Sequence, residues 1–196
     1  IVSRAELLAE LMRLRQGIAV AGAHGKTTTT SMIALILDGA GLDPTAVIGG
    51  RVSSFGGNAR LGRGKYLVAE ADESDRSFLK LTPRFAVITN IDREHLDAYR
   101  DFDDLKAAFV QFANSVPANG VVILCADDPH LRSMRAEIKR HVVTYGLQEG
   151  ADVMASNLQM KGFGSVCSVR SRRPGGRDVE LGELRLSVPG RHNVLN

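Results

Sequence analysis

Residues 20–30 read VAGAHGKTTTT, and their types and spacing belong to phosphate chemistry. Glycine lets backbone N–H groups converge on an anion, lysine adds a point charge, and a following threonine offers a hydroxyl to a metal ion. The P-loop pattern is G-x-x-x-x-G-K-[ST]. Its first position falls here on Val20, so Gly22, Gly25, Lys26 and Thr27 are retained while the opening glycine is not. On this reading Lys26 meets the β- and γ-phosphates, Thr27 coordinates Mg²⁺, and the charge of Lys26 serves the phosphates and not the core. Thr28, Thr29 and Thr30 also suit the first turn of a helix on their own.

Two further stretches follow apolar runs. EADESD, at 70–75, ends the run that begins at Tyr66. A P-loop site needs a carboxylate at a neighbouring strand end, because Mg²⁺ keeps several waters and takes few protein oxygens. Glu70 lies nearest the strand and is the candidate; four acids in six residues also fit a solvated loop. TNIDREHLDAY, at 89–99, places His95 just beyond the next strand end. Imidazole is an uncommon Mg²⁺ ligand, so spacing alone leaves His95 between a metal-binding and a structural role. His130 and His141 are read as structural.

These groups need elements to carry them. Ser3 and Glu6 form a capping box ahead of Leu7, Leu8, Leu11, Met12 and Leu14, which predicts a helix at about 3–15. GIAVA (17–21) is a short apolar strand leading into the phosphate loop. The helix after the loop is apolar on nearly every side through Leu37, which predicts burial all round, and Gly39 and Gly41 stop it. YLVAEAD (66–72) and RFAVITNI (84–91) read as strands buried on both faces of a parallel sheet. Leu105, Ala108, Phe109, Phe112 and Val116 predict a helix at about 103–116. VVILC (121–125) is a strand, Asp128 and Pro129 open a helix to about Arg140, and VVTYG (142–146) closes the alternation. Beyond Ala151 the pattern turns antiparallel, with a turn at SRRPGGR. The fold class is α/β: a P-loop doubly wound, mostly parallel sheet flanked by helices over 1–146, a small antiparallel β-sheet over 147–188, and the start of a connection or helix over 189–196.

The chain has 196 residues, 44% of them hydrophobic and 24% charged, ordinary values for one globular domain. Its 25 Lys+Arg and 22 Asp+Glu are interspersed, giving +3 at neutral pH. The densest basic group, RSRRPGGR at 170–177, lacks interleaved aromatics and reads as a hairpin tip before a nucleic-acid patch. Cys125 and Cys167 lack CxxC spacing and read as buried thiols in a reducing compartment. No membrane span or signal-peptide pattern is visible, so the expected location is cytoplasmic. No N-K-x-D base-reading motif supports a nucleotide switch, and no Ser/His/Asp or Cys/His arrangement points to a covalent enzyme intermediate. A start without Met and an end at HNVLN read as a piece of a longer protein.

GIAVAGAHGKTTTT, EADESD, TNIDREHLDAY and PGRHNVLN, in this order, resemble the central ATPase domain of the Mur ligases, the ATP-dependent amide-forming enzymes of bacterial peptidoglycan synthesis. The resemblance covers essentially the whole chain, 1–196. It implies that Gly22, Ala23, His24, Gly25, Lys26, Thr27 and Thr28 wrap the ATP phosphates. It implies that Glu70 binds Mg²⁺, that His95 helps hold a second Mg²⁺, and that Asn193 and Asn196 read adenine. Lys26, Glu70 and His95 are then the catalytic set. Ala23 stands where relatives commonly have Thr or Ser, and Glu94 where they often have Asp. His24 and EADESD are most similar to the branch whose substrates are UDP-N-acetylmuramate and L-alanine. Ser74 speaks against the tripeptide-adding branch, and His24 against folylpolyglutamate synthetase. The family's uridine-nucleotide-binding N-terminal domain and its C-terminal domain would be the missing partners, and this piece alone is expected to be inactive in ligation.

Overall fold

A computed structural model describes residues 2–52, 57–93, 96–173 and 175–196. Helix α1 (Arg4–Arg13) begins with the predicted capping box: Ser3 Oγ accepts from Glu6 N at 3.3 Å, and Glu6 Oε2 accepts from Ser3 N at 2.9 Å. Strand β1 (Gln16–Ala21) leads into the phosphate loop and helix α2 (Lys26–Gly39). Then come β2 (Thr45–Val52), β3 (Gly57–Arg60), β4 (Tyr66–Glu70), β5 (Phe85–Ile88), α3 (Phe102–Ser115), β6 (Val121–Cys125), α4 (Pro129–Met134) and β7 (Val142–Gly146). The chain ends with β8 (Val153–Lys161), β9 (Gly164–Arg172), β10 (Asp178–Leu186) and the short helix α5 (Arg191–Val194).

All ten described strands join one sheet in the order β10-β9-β8-β7-β6-β5-β1-β4-β2-β3. Pairing is parallel from β2 through β8, while β3 and the β8–β10 meander are antiparallel. The antiparallel strands expected after residue 147 are present and continue the main sheet, since Tyr145 of β7 pairs in parallel with Val153 of β8. Neither β2 nor β3 was legible in the sequence; TAVIGGRV carries two glycines that weaken a strand pattern.

Strand β1 shows why helices cover both faces. Its Ala19 and Ala21 belong to the core under α1, α3 and α4, with Met12, Phe78, Phe109 and Phe112, while Ile18 and Val20 face the cluster that contains Ala34 of α2. Helix α2 departs from the expectation of burial all round: Thr29, Thr30 and Ala34 are buried, yet Ile36 is 71% exposed. Only one side of α2 meets the sheet, and apolar composition does not say how many sides have a neighbour. Helix α4 also stops short of the expected Arg140, passing into a 3₁₀ turn at Arg135–Glu137. Asn114 of α3 explains the break, because its amide bonds Glu137 O at 3.2 Å and Lys139 N at 2.8 Å. Those groups therefore need no helical partners.

Candidate active site

Strand order makes the site. Central β1 is flanked by β4 and β5, all parallel, with Val20 beside Glu70 and Ala21 beside Ile88. The phosphate loop, EADESD and TNID therefore leave the sheet at the same edge, the C-terminal ends of adjacent strands where open α/β sheets bind ligands.

The loop is held by TNID. Asn90 Oδ1 accepts from His24 N at 2.8 Å, Asn90 Nδ2 donates to His24 O at 2.9 Å, and Thr89 Oγ1 donates to the same carbonyl at 2.7 Å. Ala23 N donates to Asn90 O at 3.2 Å. Gly22 needs its φ of +135° and its missing Cβ, which would run into Thr89 Oγ1. Gly25 caps α2 at φ +81°, and a Cβ there would meet the Asn196 amide. His24 is exposed, with Nε2 3.5 Å from Asp92, whose carboxyl is held below its usual range by the Arg93 N–H and by His24. Thr27 is exposed at the helix start and Thr28 half-buried beside it.

Lys26 is drawn into the loop. Its Nζ donates to Gly22 O at 2.7 Å and to Glu73 Oε1 at 2.8 Å. Glu73 is 3% exposed. The expectation that the Lys26 charge serves phosphates alone is thus corrected, because Lys26 also compensates a buried carboxylate. Glu70 ends β4, and its buried Oε1 has no hydrogen-bond partner. Its other oxygen lies against Gly49. Lys26, Gly49 and Glu70 line one cleft of about 680 Å³ with Arg4, Arg76 and Lys80.

The four acids of EADESD divide their labour. Glu73 is buried against Lys26 and Glu70 lines the cleft; Asp72 and Asp75 line the same cleft but are exposed and bond the following turn at Ser74 and Ser77. The Ser77 hydroxyl and amide hold the Asp75 carboxyl below its usual range. Among the functional residues, sequence reading missed Glu73, Thr89 and Asn90; the second glutamate of EADE and the polar pair closing β5 were the available signals. At the other end of the chain, Asn196 Nδ2 donates to Asn193 Oδ1 at 3.2 Å, and Arg191 pairs with Asp127 at 3.3 Å, anchoring α5. The structure therefore brings Asn193 and Asn196 to the phosphate loop through Gly25. His95 lies outside the described residues, as does Glu94.

The family model of the Mur ligase middle domain matches residues 20–196. The chain belongs to the Mur ligase family, as its middle domain. It is 55% identical to the UDP-N-acetylmuramate–L-alanine ligase of Solibacter usitatus (strain Ellin6076), with 100% of this chain and 41% of that protein covered. The correspondingly named protein of Syntrophus aciditrophicus (strain SB) is 54% identical, with 100% of this chain and 40% of that protein covered. The chain thus spans about two fifths of the curated Mur ligases it matches. Among solved structures, the UDP-N-acetylmuramate-alanine ligase of Thermotoga maritima superposes with a TM-score of 0.80 at 30% identity, over 98% of this chain and 42% of that one. The UDP-N-acetylmuramate:L-alanyl-gamma-D-glutamyl-meso-diaminopimelate ligase of Neisseria meningitides gives 0.84 at 28% identity, over 99% and 62%. The Mur ligase middle domain is shared across these branches, so its backbone alone does not choose among them.

Proposed function

We propose that this middle domain binds ATP and Mg²⁺ and that, within the longer protein, it drives the joining of L-alanine to the carboxylate of UDP-N-acetylmuramate in the bacterial cytoplasm. The observation that carries the nucleotide reading is the convergence of residues 22–28, Glu70 and the Thr89–Asn90 clamp at one sheet edge, where Lys26 and Glu70 also line one cleft. The choice of L-alanine and the muramate is supported by the names of relatives 55% and 54% identical to this chain.

The residues present fit a hard cation. Glu70 Oε1 is buried without a partner, and Thr27 offers an exposed hydroxyl at the helix start, a sparse oxygen set of the kind Mg²⁺ completes with water and phosphate. Mg²⁺ bound there would offset negative charge on the phosphates. His95 would contribute to a second such site. Asn193 and Asn196 would read adenine, each amide offering a donor and an acceptor.

The reaction requires one anion to attack another. Lys26 and the free N–H groups at the start of α2 offset the triphosphate charge as the muramoyl carboxylate oxygen approaches the γ-phosphorus. The P–O bond to ADP breaks as the acyl phosphate forms. The uncharged amine of alanine then attacks the acyl carbon, and the tetrahedral intermediate expels inorganic phosphate and releases the amine proton. The carboxylate must sit within about 3–3.5 Å of phosphorus, which the absent N- and C-terminal domains would arrange.

The test is phosphate release by the full-length parent protein with ATP, Mg²⁺ and UDP-N-acetylmuramate, scanning acceptors that include alanine and the tripeptide. Release that depends on L-alanine, with UDP-N-acetylmuramoyl-L-alanine seen by mass spectrometry, is the expected result. Tripeptide dependence would move the protein to the other branch, and release indifferent to any acceptor would remove the ligase reading.

A further inference from the structure

We propose that Glu73 is a positioning residue for Lys26: it holds the lysine ammonium inside the phosphate loop until a triphosphate displaces it, so nucleotide entry exchanges one ion pair for another. The proposal rests on the nucleotide reading above and concerns a carboxylate to which that reading gives no task.

The geometry is specific. Glu73 Oε1 lies 2.8 Å from Lys26 Nζ, with side-chain exposures of 4% and 19%. Glu73 Oε2 is buried and has no hydrogen-bond partner, so Lys26 supplies the carboxylate's side-chain compensation among the described residues. Lys26 in turn spends its remaining contacts on the Gly22 and Ala23 carbonyls, at 2.7 and 3.5 Å. An ammonium so placed lines the cleft but is already engaged by its own loop and by Glu73.

Glu73 is also held from behind. Tyr99 Oη donates to Glu73 O at 2.5 Å, and Arg76 N donates to the same carbonyl at 3.1 Å. Tyr99 is buried; the Arg76 guanidinium lies 4.8 Å from its ring centroid and bonds Asp104 of α3 at 2.9 Å. The Glu73 backbone is therefore fixed by the segment after TNID and by α3, so the carboxylate could follow a turning Lys26 only by side-chain rotation within its buried site. Lys26 moving to a phosphate would leave Glu73 buried with neither oxygen paired, a penalty set against nucleotide binding. Removing the Glu73 charge removes that penalty and frees Lys26 at once. Both effects favour ATP, whereas damage to a merely structural contact would weaken its binding.

Two measurements on the full-length protein decide the matter. Calorimetric titration with ATP in EDTA isolates the phosphate contacts from metal binding. Glu73→Gln is expected to bind ATP about tenfold more tightly than wild type, the size of a modest ion-pair contribution released. Unchanged or weaker affinity in a folded Glu73→Gln protein overturns the proposal. A crystal structure of the wild type with ATP does not depend on the variant folding; Lys26 Nζ is expected on a phosphate oxygen and beyond about 4 Å from Glu73. Lys26 still paired with Glu73 while ATP is bound overturns it. A wild type that binds no ATP removes the nucleotide site itself, and this differs from a wild type that binds ATP while Glu73→Gln gains nothing.

Discussion

Lys26 shows how one residue can be read correctly for chemistry and incompletely for stability. A P-loop lysine is expected on phosphates, and replacing it by alanine in a solvated loop would leave the fold untouched. Here its partner is a carboxylate 3% exposed, so Lys26→Ala strands a buried charge. The expected cost is about 2–3 kcal/mol, below the range for a fully buried pair because the Lys26 side chain retains 19% exposure. Adding Glu73→Gln to Lys26→Ala should recover most of that loss. Urea denaturation of the single and double variants measures it, and a Lys26→Ala protein as stable as wild type would contradict the pairing. The neighbouring glutamate differs: Glu70 already lacks a partner for Oε1, so no comparable rescue applies there.

Elements deliver these residues through their ends. Asp128 opens α4, its Oδ1 accepting from Leu131 N at 2.8 Å, while its Oδ2 accepts from Ile91 N at 3.2 Å in TNID. One side chain thus caps a helix and ties down the segment whose Thr89 and Asn90 clamp the phosphate loop. Asp128→Ala should cost about 1–2 kcal/mol, an N-cap loss plus an unpaired amide. It should also speed hydrogen exchange at the Ile91 and His24 amides while leaving β1 amides protected. Exchange measured by NMR or mass spectrometry tests this; unchanged protection at Ile91 would separate the cap from the clamp. Helix α2 makes a second point at this scale. It presents Thr29, Thr30 and Ala34 to the sheet and leaves Ile36 open, so a run of apolar residues marks a helix without marking its covered side.

For the whole molecule, two carboxylates with large downward shifts contribute to acid stability, beside Asp38, Asp75, Asp92, Asp103 and Asp152, which are also held below their usual range. Glu6, held by the Ser3 amide and by Lys80, drops from 4.5 to about 2. Asp104, held by the Arg100 amide and by Arg76, drops from 3.8 to about 2. Because each binds its proton more weakly in the fold than in the unfolded chain, the stability they add is complete above about pH 4.5 and is lost as pH falls toward 2. The double variant Glu6→Gln, Asp104→Asn should lose less stability than wild type between about pH 5 and about pH 3 in urea denaturation. Equal losses would show that other carboxylates govern acid unfolding. At the same scale, no helix among the described residues is long and apolar enough to cross a membrane.

The phosphate loop, the strand ends at EADESD and TNID, the capping box at Ser3 and the family itself were legible because each is written in consecutive residues. Glycine spacing, apolar runs and cap residues act over a few positions, and local physics suffices to read them. Tertiary structure decided what depends on distant neighbours. Strand order placed β4 and β5 on either side of β1, which turned three separate motifs into one edge. Pairing of β7 with β8 merged the antiparallel strands into the main sheet. Asn114 ended α4 by offering bonds from another helix. Glu70 and Glu73 differ by three positions in an acidic run, and composition treats them alike. Only packing, with Tyr99 and Arg76 fixing the Glu73 backbone, sets Glu73 against a lysine 47 residues away and leaves Glu70 with an open oxygen. Burial and charge pairing are properties of residues brought together by the chain's path, and that path is settled by the sheet as a whole.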